Sequence, residues 1–235
     1  MAITTRAGKG SPLSHNEMDT NLTDLRDGLD MMVPKTQGKG LKTDSLGTPS
    51  YSWRDITGVF RVDEVGTGKP SWVNYIGNFR QLQFSVDDQV FFTYHLPHEY
   101  VVNSPIYLHT HWSHNSSLVI DGSVTWGFEV TAAKGHNQQA FNNPTTFNVV
   151  STLITPVQRQ HMIAEALIAD VGGAGGTIDV SRMEPDTLII GRMYLIANNI
   201  TVSSGGVPKP FVHEIDLHIQ TTIIGTKQRL PPFWT

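Results

Sequence analysis

Ile106-Tyr107-Leu108-His109-Thr110-His111-Trp112 decides the fold class. Ile106, Leu108, Thr110 and Trp112 fall on one face of an extended chain, with Tyr107, His109 and His111 on the other. That is the two-residue repeat of a strand buried on one side. The repeat returns near the C-terminus, where Phe211, His213, Ile215, Leu217 and Ile219 alternate with Val212, Glu214, Asp216, His218 and Gln220. Working outward, runs at 71–76, 79–86, 89–96, 105–112, 117–131, 145–155, 160–169, 187–198 and 210–224 read as strands, although 160–169 also has helical propensity. Turn-forming residues separate them: Pro97, Asn103-Ser104-Pro105, Asp121-Gly122, Gly135, Gly172-Gly173-Ala174-Gly175-Gly176 and Gly205-Gly206. Many strands joined by hairpin-scale breaks predict an all-β fold, an antiparallel β-sandwich of jelly-roll-like type.

The N-terminal part reads differently. Ser14-His15-Asn16-Glu17 forms an S-x-x-E capping box, and Met18, Leu22, Leu25 and Leu29 follow as one apolar seam on a short helix. A helix of about 15 residues is marginal alone in water, so the seam needs a partner, either the chain's own β domain or another protein. The stretch after it is rich in Gly, Pro and Lys and poor in large apolar residues, as a linker is. The expected organisation is an anchor with a short helix over 1–33, a linker over 34–52 and the β-sandwich over 53–235.

Charged residues make up only 16% of the 235, against about 25% in an average domain. A sparsely charged surface is one that neighbouring subunits cover, so a homo-oligomer is expected. The formal net charge of −4 offers no electrostatic footprint for nucleic acid. Cysteine is absent, which removes disulfides, thiolate metal sites and cysteine nucleophiles. No apolar run approaches the ~18 residues of a membrane span, so no membrane insertion is expected.

Thr4-Thr5-Arg6-Ala7-Gly8-Lys9-Gly10-Ser11-Pro12-Leu13-Ser14-His15-Asn16-Glu17-Met18-Asp19-Thr20-Asn21 is similar to the opening of many tail-fibre and tail-associated structural proteins of tailed bacteriophages. Tyr94-His95-Leu96-Pro97-His98-Glu99-Tyr100 and the HTHW segment at His109–Trp112 resemble a pattern found among phage structural proteins. The resemblance implies a virion component, made in the host bacterial cytoplasm and usually trimeric, whose residues 1–33 dock on other virion structural proteins. A tail-fibre or tail-associated adaptor is the reading it favours. A capsid decoration protein of the head and a module recognising a host surface glycan are the alternatives.

Five of the ten histidines lie within 95–114: His95, His98, His109, His111 and His114. An H-x-H on a strand sets both imidazoles on one face, about 7 Å apart at the backbone. His109 and His111 from three chains could therefore meet at a symmetry axis around a metal ion, with His95 and His98 as further or alternative ligands. The simpler expectation is that they hydrogen-bond to carboxylates such as Glu99, Glu214 or Asp216, while His95 and His98 shape the turn at Leu96-Pro97. A cupin-like metalloenzyme is a remote alternative: the residues after His111 are Trp112, Ser113, His114, Asn115, Ser116 and Ser117, with no carboxylate where the cupin pattern requires one. Nucleophile-elbow, phosphate-loop and H-E-x-x-H patterns are also missing. The sequence therefore assigns no catalytic residue, cofactor ligand or metal ligand, and the expectation is a protein that is not an enzyme. Trp53, Trp72, Trp112, Trp126, Trp234, Tyr51, Tyr75 and Tyr107 are expected mainly as core or interface anchors, with a sugar platform as the other use of such rings. Leu230-Pro231-Pro232-Phe233-Trp234-Thr235 is expected to pack on a neighbouring surface.

Removing residues 1–33 should leave a folded, soluble β domain that no longer enters virions. Normal incorporation of the truncated chain into particles counts against the anchor, and unfolding of the truncated chain assigns the helix to the domain's own core.

Overall fold

The computed structural model describes Pro12, Ser14, Met18, Asn21 and Leu22, then residues 51–62, 68–152 and 157–222. Met18, Asn21 and Leu22 are helical, and the Met18 amide donates to the Ser14 carbonyl at 3.0 Å, as a helix beginning after Ser14 requires. Leu25, Leu29, nearly all of the linker and the C-terminal aromatics lie outside the described residues. The chain divides into two units, Met1–Trp53 with Thr221–Thr235, and Arg54–Gln220; the second holds nearly all of the described strands.

Among the described residues the strands are β1 (Ser52–Thr57), β2 (Phe60–Arg61), β3 (Ser71–Ile76), β4 (Phe79–Gln83), β5 (Gln89–His95), β6 (Ile106–Ser113), β7 (Val119–Asp121), β8 (Ser123–Ala133), β9 (Thr145–Thr152), β10 (Met162–Asp170), β11 (Ile178–Asp179), β12 (Leu188–Asn198), β13 (Thr201–Val202) and β14 (Phe211–Thr221). The larger sheet runs β11-β10-β6-β14-β4-β3, with β1 also pairing β14, and the smaller runs β2-β5-β12-β8-β9. Strands β7 and β13 form a separate pair. Strand β10 pairs with β11 in parallel, and the pairs β10–β6, β6–β14, β14–β4, β4–β3, β2–β5, β5–β12, β12–β8, β8–β9 and β7–β13 are antiparallel. The fold is an all-β antiparallel sandwich with a jelly-roll-like layout.

The core lies between the sheets. Ile106, Leu108, Thr110 and Trp112 are wholly buried, as the period-two reading predicts. Trp112 meets Trp126 of β8 edge-on with centroids 6.1 Å apart, and its indole N–H donates to Ser151 of β9 at 2.9 Å. Phe84 packs edge-on against Trp126 at 5.6 Å. Such edge-to-face pairs add to area burial because the positive ring edge meets a negative face. Two polar ties also cross the core: Thr110 to the Met193 sulfur of β12 at 3.2 Å, and the Tyr94 hydroxyl donating to the Ile215 carbonyl. Gly191 sits where β12 crosses close to β5 and β8; a Cβ there would stand 2.6 Å from both the Glu129 carbonyl oxygen and the Phe92 ring, so only glycine fits.

Each of the nine expected runs contains a strand among its described residues, including 160–169, which becomes β10 because burial of Ala164, Ala166 and Ile168 outweighs helical propensity. Three details differ from the expectation. The run 117–131 is two strands, broken at Gly122 (φ +124), where a Cβ would meet the Asn199 carbonyl oxygen at 2.3 Å. The short strands β1, β2, β11 and β13 are not legible in the sequence, since two to six residues carry too little periodicity. The alternation in 210–224 is interrupted as well. The β6–β14 register shifts between Val212 and Glu214, leaving His213 as an extra residue. Val212 then pairs with Trp112 and Ile215 with Thr110, and Phe211 and His213 do not share the face of Ile215, Leu217 and Ile219.

Candidate functional site

The face of the larger sheet turned away from the core carries an unusual concentration of ionisable groups. Cross-strand pairing sets Asp216 of β14 opposite His109 of β6, Glu214 opposite His111, and His218 opposite Tyr107. On the other side of β6, Glu165 of β10 faces His109, and Ile163 faces His111. Asp55 of β1 and His161, just before β10, complete the group.

The contacts are short and mutual. His111 Nε2 lies 2.9 Å from Asp216 Oδ2, and His111 Nδ1 lies 2.7 Å from His161 Nε2, with the two rings stacked. His109 Nε2 lies 3.0 Å from Glu165 Oε2 and 3.3 Å from His218 Nδ1. His109 Nδ1 is 3.2 Å from Asp216 Oδ1, close enough for an ion pair. The alignment of a hydrogen bond is lacking, so Oδ1 is a buried oxygen with no hydrogen-bond donor. Asp55 Oδ1 stands 3.9 Å from His109 Nδ1 and 3.8 Å from His218 Nδ1. Two sets, Asp55–His109–His218 and His109–His111–Asp216, each gather their ligand atoms within 4.8 Å of one another, the spacing a metal ion would need.

The electrostatics follow from burial opposed by partners. Burial pulls the His109 imidazole down, but the carboxylates of Asp216 and Glu165 outweigh it and hold its pKa up at about 9. Burial pushes Asp216 up, and the adjoining His109 and His111 more than reverse this, leaving it below its ordinary value. Asp55 is raised, first by burial and then by the charge of Asp216. Burial, followed by the charges of His161 and His111, lowers His213 to about 4. His161 is lowered for the same reasons, burial first and then His111.

Beside this cluster an open cleft of about 370 Å³ is lined by Tyr75, His111, Arg159, His161, His213 and Glu214. Tyr75 of β3 packs against Phe211 and His213, each with centroids 5.0 Å away, and its hydroxyl bonds to Ser113 at 2.7 Å. Arg159 is fixed by its Nε donating to Asn115 Oδ1 at 2.7 Å and by its amide donating to the His114 carbonyl at 2.9 Å. Its φ of +63° is a left-handed conformation, costly for a side chain of this size, and such strain concentrates at functional positions.

Of the residues singled out in the sequence, His109 and His111 do share the outer face, yet His109 is only 6% exposed because its strand neighbours and β1 cover it. Both rings are engaged within the chain, and Asp216 is the carboxylate that serves them. Glu99 instead pairs with Arg54 at 2.6 Å. His95 and His98 are not ligands or support for His109 and His111. They converge with His136 on Asp186, at 3.3, 3.3 and 3.1 Å, where β5 and β8 end and β12 begins. His114 is wholly buried. Trp112 and Trp126 are core, and Tyr75 is the aromatic residue at the cleft. Sequence reasoning missed Asp55, His161, Glu165, His213 and His218 as members of the site. For Asp216 and His218 the signal was present, two ionisable residues two apart in an apolar strand.

No protein-family model and no curated protein matches the chain. Among solved structures it is similar to a xylan-binding module CBM15, at 7% identity over 74% of this chain and 99% of that one, with a TM-score of 0.36. It is also similar to the family 11 carbohydrate-binding module from Clostridium thermocellum in complex with a beta-1,3-1,4-mixed-linked tetrasaccharide, at 15% identity over 77% and 95% of the two chains, TM-score 0.30. A third is TmCBM61 in complex with beta-1,4-galactotriose, at 10% identity over 70% and 86%, TM-score 0.26. These similarities assign no role to any residue.

The opposed shifts predict how stability varies with pH. A histidine raised from 6.5 to about 9 contributes stability that is whole below pH 6.5 and lost as the pH climbs through 9. His213, lowered to about 4, acts oppositely: its contribution is present above pH 6.5 and lost on the way down to 4. Asp216, depressed below its ordinary 3.8, adds a further loss in stronger acid. Urea midpoints of chelator-treated protein should therefore peak near neutrality, and His109→Gln should flatten the alkaline limb. It should keep the part of the acid limb that comes from His213 and weaken the part that comes from Asp216, which His109 helps to hold down. An alkaline limb unchanged in His109→Gln contradicts the assignment.

Proposed function

We propose that the chain is a non-catalytic structural component of a tailed-phage virion, docked through residues 1–33, whose β-sandwich binds a saccharide of the host cell surface in the cleft on its larger sheet. The observation that carries the binding part is the cleft itself. A pyranose ring presents an apolar C–H face and a rim of hydroxyls. Tyr75 supplies an aromatic surface, while Arg159, Glu214 and the imidazoles of His161 and His213 supply donors and acceptors around it. The volume falls in the lower part of the ~300–1,000 Å³ range of ligand pockets. Arg159, strained and tethered through Asn115, is held as a recognition residue would be rather than as a solvated surface cation. The virion part is supported by the N-terminal stretch from Thr4 to Asn21.

A second reading, in which assembly with other copies is the main task, is favoured by the β3–β4 hairpin. Among the described residues β3 is an edge strand of the larger sheet, and Trp72 and Phe79 at the hairpin are 54% and 73% exposed. An unpaired, apolar sheet edge is a surface that another chain covers. Light scattering of the full chain should give a multiple of the monomer mass, with a trimer preferred, and Phe79→Lys should lower it; a monomer at micromolar concentration removes this reading.

The glycan reading is tested by presenting the purified chain to a glycan array and to host cells. Arg159→Ala and Tyr75→Ala should each weaken the retained signal at least about tenfold, equivalent to ~1.4 kcal/mol, without loss of the folded state. Absence of any saccharide signal from the wild-type chain rejects it.

A further inference from the structure

Asp216 is a carboxylate at 2% exposure whose Oδ1 has no hydrogen-bond donor. Leaving an anionic oxygen in that condition is costly unless a cation answers it, and either a protonated His109 ring or a metal ion held by the neighbouring imidazoles can be that cation. Two imidazoles each turn one nitrogen towards this carboxylate, His109 Nδ1 at 3.2 Å and His111 Nε2 at 2.9 Å. Each has its other nitrogen on a second group: His109 Nε2 on Glu165 at 3.0 Å, and His111 Nδ1 on His161 at 2.7 Å. When the rings are neutral and those outer nitrogens carry the N–H, each inner nitrogen offers a lone pair towards Asp216, which is how metal-bound imidazoles are oriented by their surroundings.

We infer that His109 Nδ1, His111 Nε2 and the Asp216 carboxylate form a site for one divalent transition-metal ion within a single chain, with zinc as the ion best suited to it. Two nitrogens and one oxygen are the donor set that zinc and its neighbours take, whereas calcium and magnesium prefer oxygen alone. The spacing agrees. One donor atom from each of the three residues lies within 4.8 Å of the others. The two nitrogens stand 3.2 and 2.9 Å from different oxygens of the one carboxylate, near the roughly 3.3 Å edge set by ligands about 2.0–2.1 Å from a zinc ion. The carboxylate would therefore chelate through both oxygens. Charge agrees as well: Asp55, Glu165 and Glu214 stand around Asp216 on the same face, an excess of carboxylates that attracts a cation. Asp55 Oδ1, 3.9 Å from His109 Nδ1, is the group placed to complete the coordination. The exposed trio of His95, His98 and His136 around Asp186 lacks these features, because its rings are solvated and its carboxylate is not buried.

The site owes nothing to the saccharide reading, and its test does not use saccharides. The untagged full chain, stripped with chelator and dialysed against zinc chloride, should retain one zinc per chain by elemental analysis. Its melting temperature should rise by about 5 °C or more at a hundredfold excess over Kd. His111→Ala should lose both the stoichiometric ion and the shift. Glu165→Gln should weaken zinc binding ~10–100-fold, as loss of the partner that orients a ligand does, and it serves in place of His111→Ala if that variant does not fold. Asp186→Asn should bind as the wild type does. Failure of the wild-type chain to retain zinc overturns the site, as does retention that survives both His111→Ala and Glu165→Gln, or that disappears in Asp186→Asn.

Discussion

The register between β6 and β14 is the constraint on which the rest depends. Thr110 opposite Ile215 and Leu108 opposite Leu217 keep the apolar set of both strands in the core, and the same pairing sets His109 opposite Asp216 on the outer face. A slip of one residue would send Asp216 into the apolar interior and Leu217 to the surface, because the side-chain period is two. Core packing and site geometry are therefore one condition. The wholly buried Trp112 and Trp126 fix the inner face, and the outer groups are placed by the same register.

On that outer face, burial and charge compete. Burial favours neutral forms, and for His213 and His161, whose nearest charged neighbours are other imidazoles, burial prevails. For His109, placed between two carboxylates, it does not. The face thus divides into an ion-paired part around Asp216 and the cleft around Tyr75 and His213, where Arg159 and Glu214 stand beside the rings. His111 belongs to both, touching Asp216 through one nitrogen and lining the cleft. A change at Asp216 would be felt in the cleft through that ring.

The fold class was readable because each long strand carries enough residues to display its period and turn-forming residues separate the strands. The composition of the site was readable only in part. His109 and His111 stand out because they share a strand and a face, and Asp216 was one of several carboxylates that could meet them. His161, Glu165 and Asp55 come from strands or loops 50 or more residues away, and their arrival depends on sheet order, which local periodicity does not encode. The pull of His95 and His98 to Asp186 was hidden for the same reason. The extra residue at His213 escaped because an uninterrupted alternation and a bulged one look alike until the partner strand is known.

That extra residue also bears on how the sequence can change length over generations. Elsewhere in β14, gain or loss of one position would exchange the buried and outward sets for everything downstream. Between Val212 and Glu214 the strand already sets one residue more than its partner, so loss of that position would close the ladder and leave Ile215 to Ile219 in place. The bulge is thus a buffer for reading-frame-preserving deletions. Loss of His213 would alter the lining of the cleft while the carboxylate cluster and the core stay in step.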